Sequence, residues 1–396
     1  MKQIIKKILY ELKKMIFNFF SLLPLRNDYV IFESEGDFSD NSYAFFEYLI
    51  NQKKEKYRFF WFLDDLNNEC PCSYKIKKIK KRYKYLNFYY IYLLAVSKFY
   101  IYDHCDLYRE GGFKKRNHQI LLYLSHGFGF KSSKGSDFSI NPPSFDKMIA
   151  TGEIPAKGNA NWFQVDLNKT EILGYPRLDY FFNETESRKK EILKILNIDS
   201  EKCNFLWMPT FRKSINKFLS EDYIENETGL PLFVTKAKLN QFNEYMKEKK
   251  SMCYLKLHHL QAELPIFQTS YSHIRIIRDD ELREKKIQLY EMIPLFNCLI
   301  SDYSSITVDY LLLDKPIIYI LDDYKKYKES RGIYPENALD YMVGYRIFEE
   351  KELYHAIEDI VEEKDIYRTE RNDILPLFHK YRDGNSSQRI SEYLKL

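Results

Sequence analysis

Cys298-Leu299-Ile300-Ser301-Asp302-Tyr303-Ser304-Ser305-Ile306-Thr307-Val308-Asp309-Tyr310 passes from a short apolar run through a polar turn into a helical pattern. Lys315-Pro316-Ile317-Ile318-Tyr319-Ile320 then supplies the next apolar run. Short runs rich in β-branched and aromatic residues, bounded by turn residues, read as strands, and the segment between them reads as a helix. Strand, turn, helix and strand in that order make a βαβ unit, which implies parallel pairing through a crossover.

The same alternation fills the chain. Strands are expected at 29–32, 58–63, 99–102, 120–124, 147–150 and 171–173, and again at 204–208, 252–257, 274–277, 298–301 and 316–320. Helices are expected at 42–51, 85–96, 156–163, 232–247, 289–296, 306–313, 350–362 and 386–396. Between the two series lies 183–202, charged and strand-free, which reads as one exposed linker helix. The expected division is a Rossmann-like domain over 25–182, the linker, and a second Rossmann-like domain over 203–396. Such sheets bind ligands outside the carboxyl ends of their strands, so a ligand cleft between the halves is expected.

Composition bounds the function. With 396 residues, 45% hydrophobic and 17% aromatic, the chain can bury a large core, which excludes disorder over most of its length. A net charge of +4, from 61 basic against 57 acidic residues, is too balanced for a dedicated nucleic-acid binder. The six cysteines, at 70, 72, 105, 203, 253 and 298, are scattered, and Cys70-Pro71-Cys72 is not a zinc spacing. They read as reduced thiols of a cytoplasmic protein.

The first 24 residues form a basic amphipathic pattern. Ile4, Ile5, Ile8, Leu9, Leu12, Met15, Ile16, Phe19 and Phe20 share helical spacing, with Lys2, Lys6, Lys7, Lys13 and Lys14 elsewhere and Pro24 as the stop. The helix is too charged to span a bilayer, and no signal-peptidase site follows it. It is expected to lie on an anionic membrane surface. A second basic run, 75–84, precedes an aromatic-rich stretch and reads as a solvated face or a second membrane contact.

Candidate functional residues gather just after expected strands. The run at 121–124 leads into Ser125-His126-Gly127-Phe128-Gly129-Phe130-Lys131, that at 171–173 into Gly174-Tyr175-Pro176-Arg177, and that at 205–208 into Pro209-Thr210-Phe211-Arg212. Lys256-Leu257-His258-His259 ends another, and Ser304-Ser305 opens the helix quoted first. Singly, each has a plain structural explanation: a core histidine, a Pro-Thr turn, a serine N-cap. Together they describe phosphate-binding chemistry. No Walker loop, H-E-x-x-H or acidic metal loop occurs, and the sequence demands no metal.

The order of these motifs resembles the CDP-glycerol (poly)glycerophosphate glycerophosphotransferases, which build teichoic acids and related bacterial surface polymers. The likeness runs from about 29 to 395. It rests on Val30-Ile31-Phe32-Glu33-Ser34 with Asn41 and Glu47-Tyr48, Ser125-His126-Gly127 to Lys131, Gly174-Tyr175-Pro176-Arg177-Leu178-Asp179 and Met208-Pro209-Thr210-Phe211-Arg212. Leu255 to His258, Leu299 to Tyr334 and Tyr381 to Ile390 complete it. The resemblance implies a GT-B-like fold and a CDP-linked polyol phosphate donor, CDP-glycerol or CDP-ribitol. Carried over by position, donor contacts fall on His126, Gly127, Phe128, Gly129, Phe130, Arg177, Pro209, Thr210, Lys256, Leu257, His258, Ser304, Ser305 and Asp309. Phe128-Gly129-Phe130 departs from the family's Thr-Pro-Leu, and Leu178 replaces its usual Asn.

The implied reaction is attack of an acceptor hydroxyl on the donor's polyol-bearing phosphorus, with CMP leaving. It needs a base and positive charge, and no other cofactor. His126 is expected as the base, largely neutral near its ordinary pKa of about 6.5. Arg177, Arg212, His258 and the Ser304-Ser305 turn are expected to hold the pyrophosphate. Asp309, one helical turn beyond Ser305, is expected on the same side. The expected acceptor is a polyprenyl-diphosphate-linked or polymer hydroxyl at the cytoplasmic face of the bacterial membrane, with the enzyme bound peripherally. A sugar-nucleotide glycosyltransferase and a non-catalytic partner of a membrane assembly are the competing readings.

Overall fold

The computed structural model describes every residue except 1, 53–55, 82–85, 134–137, 139, 211–226 and 258, so Phe211, Arg212 and His258 lie outside the described residues. The chain divides into two compact units, one of 1–126, 136–182 and 380–396, the other of 127–135 and 183–379.

The first unit is built on strands β1 (Arg26–Glu33), β2 (Arg58–Leu63), β3 (Lys77–Lys80), β4 (Ser97–Tyr102), β5 (Ile120–Tyr123), β6 (Lys147–Ala150) and β7 (Thr170–Ile172). Their order in the sheet is β3-β2-β1-β4-β5-β6-β7, and every pairing is parallel. The second unit holds β8 (Asn204–Trp207), β9 (Met252–Lys256), β10 (Ile274–Ile277), β11 (Cys298–Ser301), β12 (Ile317–Ile320) and β13 (Tyr345–Ile347), ordered β10-β9-β8-β11-β12-β13 and also parallel throughout. Central strands such as Phe59–Leu63 and Asn204–Trp207 are buried along their length, as parallel strands covered on both faces must be. In each unit the strand order reverses once, between β1 and β4 and between β8 and β11. The carboxyl ends at such a reversal form the crevice in which open α/β sheets bind ligands.

The division differs from the expected 25–182, 183–202 and 203–396 boundaries. Residues 127–135 group with the second unit, as does the linker, which contains the helix Glu186–Ile195. Residues 380–396 return to the first unit, because Asp179 accepts hydrogen bonds from the Ser386 and Ser387 amides (2.9 and 2.8 Å) and so caps the helix Ser386–Leu394. Arg389 adds a bond to the Leu173 carbonyl (2.8 Å) and stacks over Tyr381.

Lys2–Phe20 is a helix, but it is not only a surface element. Phe17 is buried and stacks on Phe113, while Phe20 meets Tyr92 edge to face. Ile4, Ile8, Leu12, Met15 and Phe19 remain exposed. Leu12, Met15, Ile16, Phe19, Phe20 and Phe88 line an apolar groove of about 300 Å³. The side chains of Lys2, Ile5 and Lys6 lie outside the described ones. No described helix is long and apolar enough to cross a membrane. The second basic run is partly structural: 77–80 is the edge strand β3, and Lys81 is buried against Glu33 (2.7 Å) and Asp64 (3.0 Å). Residues 82–84 of that run lie outside the described residues.

Candidate active site

In the first unit, polar side chains gather where β1, β4 and β5 end. His126 follows β5 with its ring half exposed, at 54%; its Nδ1 lies 2.7 Å from Asp40 Oδ2 and its Nε2 3.3 Å from Glu35 Oε2. Glu35 and Asp40 come from the turn and helix start after β1. Asp40 also accepts from Arg177 Nη1 (2.7 Å), which reaches the His126 carbonyl as well (3.2 Å). Asn41 fixes the frame: its amide donates to the Ser125 carbonyl (2.8 Å) and its Oδ1 accepts from the Arg177 backbone N–H (3.1 Å). Asp103, after β4, is fully buried and accepts from the Glu35 and Ser42 amides (3.2 and 2.8 Å).

The backbone is strained at two of these positions. Asp40 (φ +58°) and Ser125 (φ +65°) both adopt the left-handed conformation that non-glycine residues avoid. Such residues persist only where surrounding bonds hold them, and they concentrate at functional sites. Here those bonds are the Asn41 contacts and the buried Ser125–Asn159–Tyr175 cluster, whose polar atoms lie 3.2 Å apart.

The electrostatics correct one expectation. Desolvation acts to lower the His126 pKa, but the Asp40 charge and hydrogen bond, with Glu35 on the other nitrogen, outweigh it and raise the pKa to about 9. The ring is therefore mainly imidazolium at neutral pH, not mainly neutral. Burial acts to raise Asp40, yet the Arg177 and His126 charges hold its carboxyl well below the usual range. A histidine pKa raised on folding stabilises the protein fully below its unfolded value near 6.5, and that stabilisation is lost as pH rises through about 9.

In the second unit the site lies at the ends of β8, β9 and β11. Asp302 is fully buried and accepts from the Thr210 N–H (2.8 Å) and hydroxyl, fixing the Pro209-Thr210 turn. Ser304 and Ser305 are half buried at the start of the helix Ile306–Tyr310, and the Ser305 side chain makes no capping hydrogen bond. The plain N-cap explanation therefore does not account for it. Lys256 is buried and pairs with Asp279 (2.7 Å), while Leu257 is buried.

The segment 127–130 is bound to the same turn. Phe130 N–H donates to the Tyr303 carbonyl (3.0 Å), and Phe128 and Phe130 both pack on Phe378. Both side chains are buried. A Cβ at Gly129 would stand 2.6 Å from the Tyr303 oxygen and 3.0 Å from the Ser305 nitrogen, so this chain's Phe-Gly-Phe fits a close backbone approach that Pro would not permit in the same conformation. Asp309, expected beside Ser305, stands one helical turn beyond it with its N–H on the Ser305 carbonyl (3.1 Å); its side chain is fully buried and accepts from Tyr290 OH (2.6 Å).

Of the sequence-derived residues, His126 and Arg177 come together in the first unit. Gly127 to Phe130, Pro209, Thr210, Lys256, Leu257, Ser304, Ser305 and Asp309 belong to the second. Sequence reasoning passed over Glu35, Asp40 and Asp302. The signal was present: Ser34-Glu35-Gly36-Asp37-Phe38-Ser39-Asp40-Asn41 is a polar turn after the first strand, where nucleotide-binding sheets carry function.

Two Rossmann-like parallel sheets, each with polar groups at its strand-order reversal, define a two-unit α/β protein of GT-B-like architecture. The chain belongs to the CDP-glycerol:poly(glycerophosphate) glycerophosphotransferase family, whose model matches residues 15–396. It is 26% identical over 252 residues to the teichoic acid glycerol-phosphate primase of Bacillus subtilis strain 168, covering 64% of this chain and 58% of that protein. It is 25% identical to the teichoic acid poly(glycerol phosphate) polymerase of Bacillus spizizenii, covering 83% of each. A teichoic acid poly(ribitol-phosphate) polymerase of Bacillus spizizenii is 26% identical, over 98% of this chain and 60% of the relative. The chain thus spans 58 to 83% of the length of these relatives. Among solved structures, the wall teichoic acid polymerase TagF matches with a TM-score of 0.76 at 20% identity, over 99% of this chain and 95% of that one. A UDP-GlcNAc 2-epimerase from Neisseria meningitidis matches at 0.53 and 12%, over 93% and 99%. At these identities the structural likeness is one of fold.

Proposed function

We propose that the protein transfers a polyol phosphate from a CDP-linked donor to a hydroxyl of a lipid-linked or polymer acceptor in bacterial cell-surface polymer synthesis, releasing CMP. Glycerol phosphate is the group named by the family's description. The observation that carries the reading is His126, held by Asp40 and Glu35 on strained backbone beside the buried Arg177.

In this reading the acceptor hydroxyl displaces Glu35 from Nε2. The hydroxyl oxygen attacks the phosphorus in line, its proton passes to Nε2, and the bond from phosphorus to the CMP oxygen breaks. Asp40 fixes the Nδ1–H tautomer and stabilises the imidazolium that forms. Thr210, Lys256, Ser304 and Ser305, with the turn's backbone N–H groups, bind the donor phosphates. Arg212 and His258 are proposed to join them. A panel of CDP-glycerol, CDP-ribitol and a UDP-sugar tests the reading: CMP release from a CDP-polyol supports it, and turnover of the UDP-sugar alone establishes the glycosyltransferase alternative.

Because the base works only when neutral, kcat/KM should rise with pH from 7 towards about 9. Glu35→Gln removes one of the charges that raise His126, so the acid limb should move to lower pH and the rate at pH 7 should increase. An unmoved pH profile would show that Glu35 does not act on His126.

Ser304→Ala with Ser305→Ala should weaken CDP-glycerol binding by about 100-fold or more, since two hydroxyl hydrogen bonds to a charged group are lost, each a net contribution of about 1.5–3 kcal/mol. Calorimetry checks this. An unchanged Kd would leave the pair a helix-start motif only.

We also propose that the exposed stripe Ile4, Ile8, Leu12, Met15 and Phe19, with the nearby Phe88, lies on the cytoplasmic face of an anionic membrane. Deleting residues 1–24 would remove the buried Phe17 and confound the test with unfolding. Ile8→Glu with Met15→Glu and Phe19→Glu spares Phe17. It should cut binding to phosphatidylglycerol vesicles at least tenfold, since each buried apolar side chain contributes about 1.5–3 kcal/mol. Undiminished binding would assign the stripe another role.

A further inference from the structure

We propose that Cys70 and Cys72 form a peroxide-reactive dithiol that closes reversibly into a Cys70–Cys72 disulfide. The two sulfurs lie 3.1 Å apart, inside their van der Waals contact distance, and both residues are half buried and so open to a small oxidant. They sit in the long connection between β2 and β3. Pro71 between them restricts the backbone, which lowers the entropy lost on closing so small a ring.

The two thiols are unequal, as an attacking and a resolving cysteine must be. The hydrogen bond between the two sulfurs, and then the Tyr74 backbone contact, favour a thiolate on Cys72 and bring its pKa down to about 7, while the sulfur–sulfur contact pushes Cys70 up. Glu47 and Tyr43, both on the helix Asp40–Asn51, are the titratable groups facing the pair. The Glu47 charge opposes thiolate formation without overcoming the sulfur contact. The remaining cysteines are poorer targets. Cys105, Cys253 and Cys298 are buried, and burial pushes the Cys203 thiol up to about 11.

The chemistry balances with hydrogen peroxide as oxidant. The Cys72 thiolate attacks one peroxide oxygen, the O–O bond breaks, and hydroxide leaves as water after taking a proton, giving the sulfenic acid. The Cys70 sulfur then attacks the Cys72 sulfur, the S–O bond breaks, and a second water leaves. Two thiols lose two electrons and two protons, and the peroxide becomes two waters.

The test uses the full chain treated with one equivalent of hydrogen peroxide, followed by thiol counting and peptide mapping. The wild type should lose two titratable thiols, linked to each other in the peptide that contains Pro71, and dithiothreitol should restore both. Cys70→Ser should leave Cys72 as a sulfenic acid trapped by dimedone. Cys72→Ser should react about tenfold more slowly, reflecting loss of the low-pKa thiolate. Transfer activity should survive in both variants, since neither residue belongs to the proposed transfer machinery. Oxidation at another cysteine first, or dimedone labelling of Cys70 in place of Cys72, would overturn the proposal.

Discussion

His126→Ala should lower transfer by about 10²–10⁴-fold, the usual contribution of a positioned general base, while CDP-glycerol binding stays within tenfold of wild type. The ring is half exposed, so its removal leaves no large buried cavity, and Asp40 keeps Arg177 as an ion-pair partner. Loss of activity would therefore not reflect loss of fold. Steady-state rates with calorimetry of donor binding separate the two outcomes. Activity within tenfold of wild type would remove His126 from the base role.

Asp40→Asn should be nearly as damaging, by a different route. The side chain is 11% exposed and joins His126 to the buried Arg177. Removing its charge leaves Arg177 partly uncompensated, at a cost of up to about 3 kcal/mol in stability. The imidazole also loses its main source of a raised pKa, so the acid limb of kcat/KM should fall from about 9 towards the ordinary value of about 6.5, with a lower plateau. A purely structural carboxylate would lower Tm and leave that limb in place, and that result would deny Asp40 its positioning role.

The α/β alternation was legible because buried parallel strands are continuous apolar runs. Those at 58–63, 147–150, 274–277 and 298–301 stand where the sequence places them. Two edge strands, β3 and β13, escaped. Lys77–Lys80 buries only Ile79, and Tyr345–Ile347 has three residues, so neither carries a period strong enough to read. The exchange of chain at 127 and at 380 has no local signature either: Asp179 caps a helix 207 residues away. In the site, His126 and Arg177 stood out through their flanking glycine and proline. Their carboxylate partners did not, because acidic residues in a turn are common and only the fold shows that Asp40 and Glu35 meet the ring. The His126 protonation state depends on that meeting, so residue identity alone gave the ordinary value and no shift. Asp309 stands one turn beyond Ser305 as helical spacing places it, but its full burial and its bond from Tyr290 have no signal in that spacing.

Mass analysis of a lipid-linked acceptor after incubation with CDP-glycerol tests the central claim most directly, with CMP measured in the same reaction. The account predicts acceptor mass increasing in whole glycerol phosphate units, one CMP for each unit, in wild type and not in His126→Ala. An acceptor that gains a sugar from a sugar nucleotide and nothing from CDP-glycerol or CDP-ribitol would contradict it.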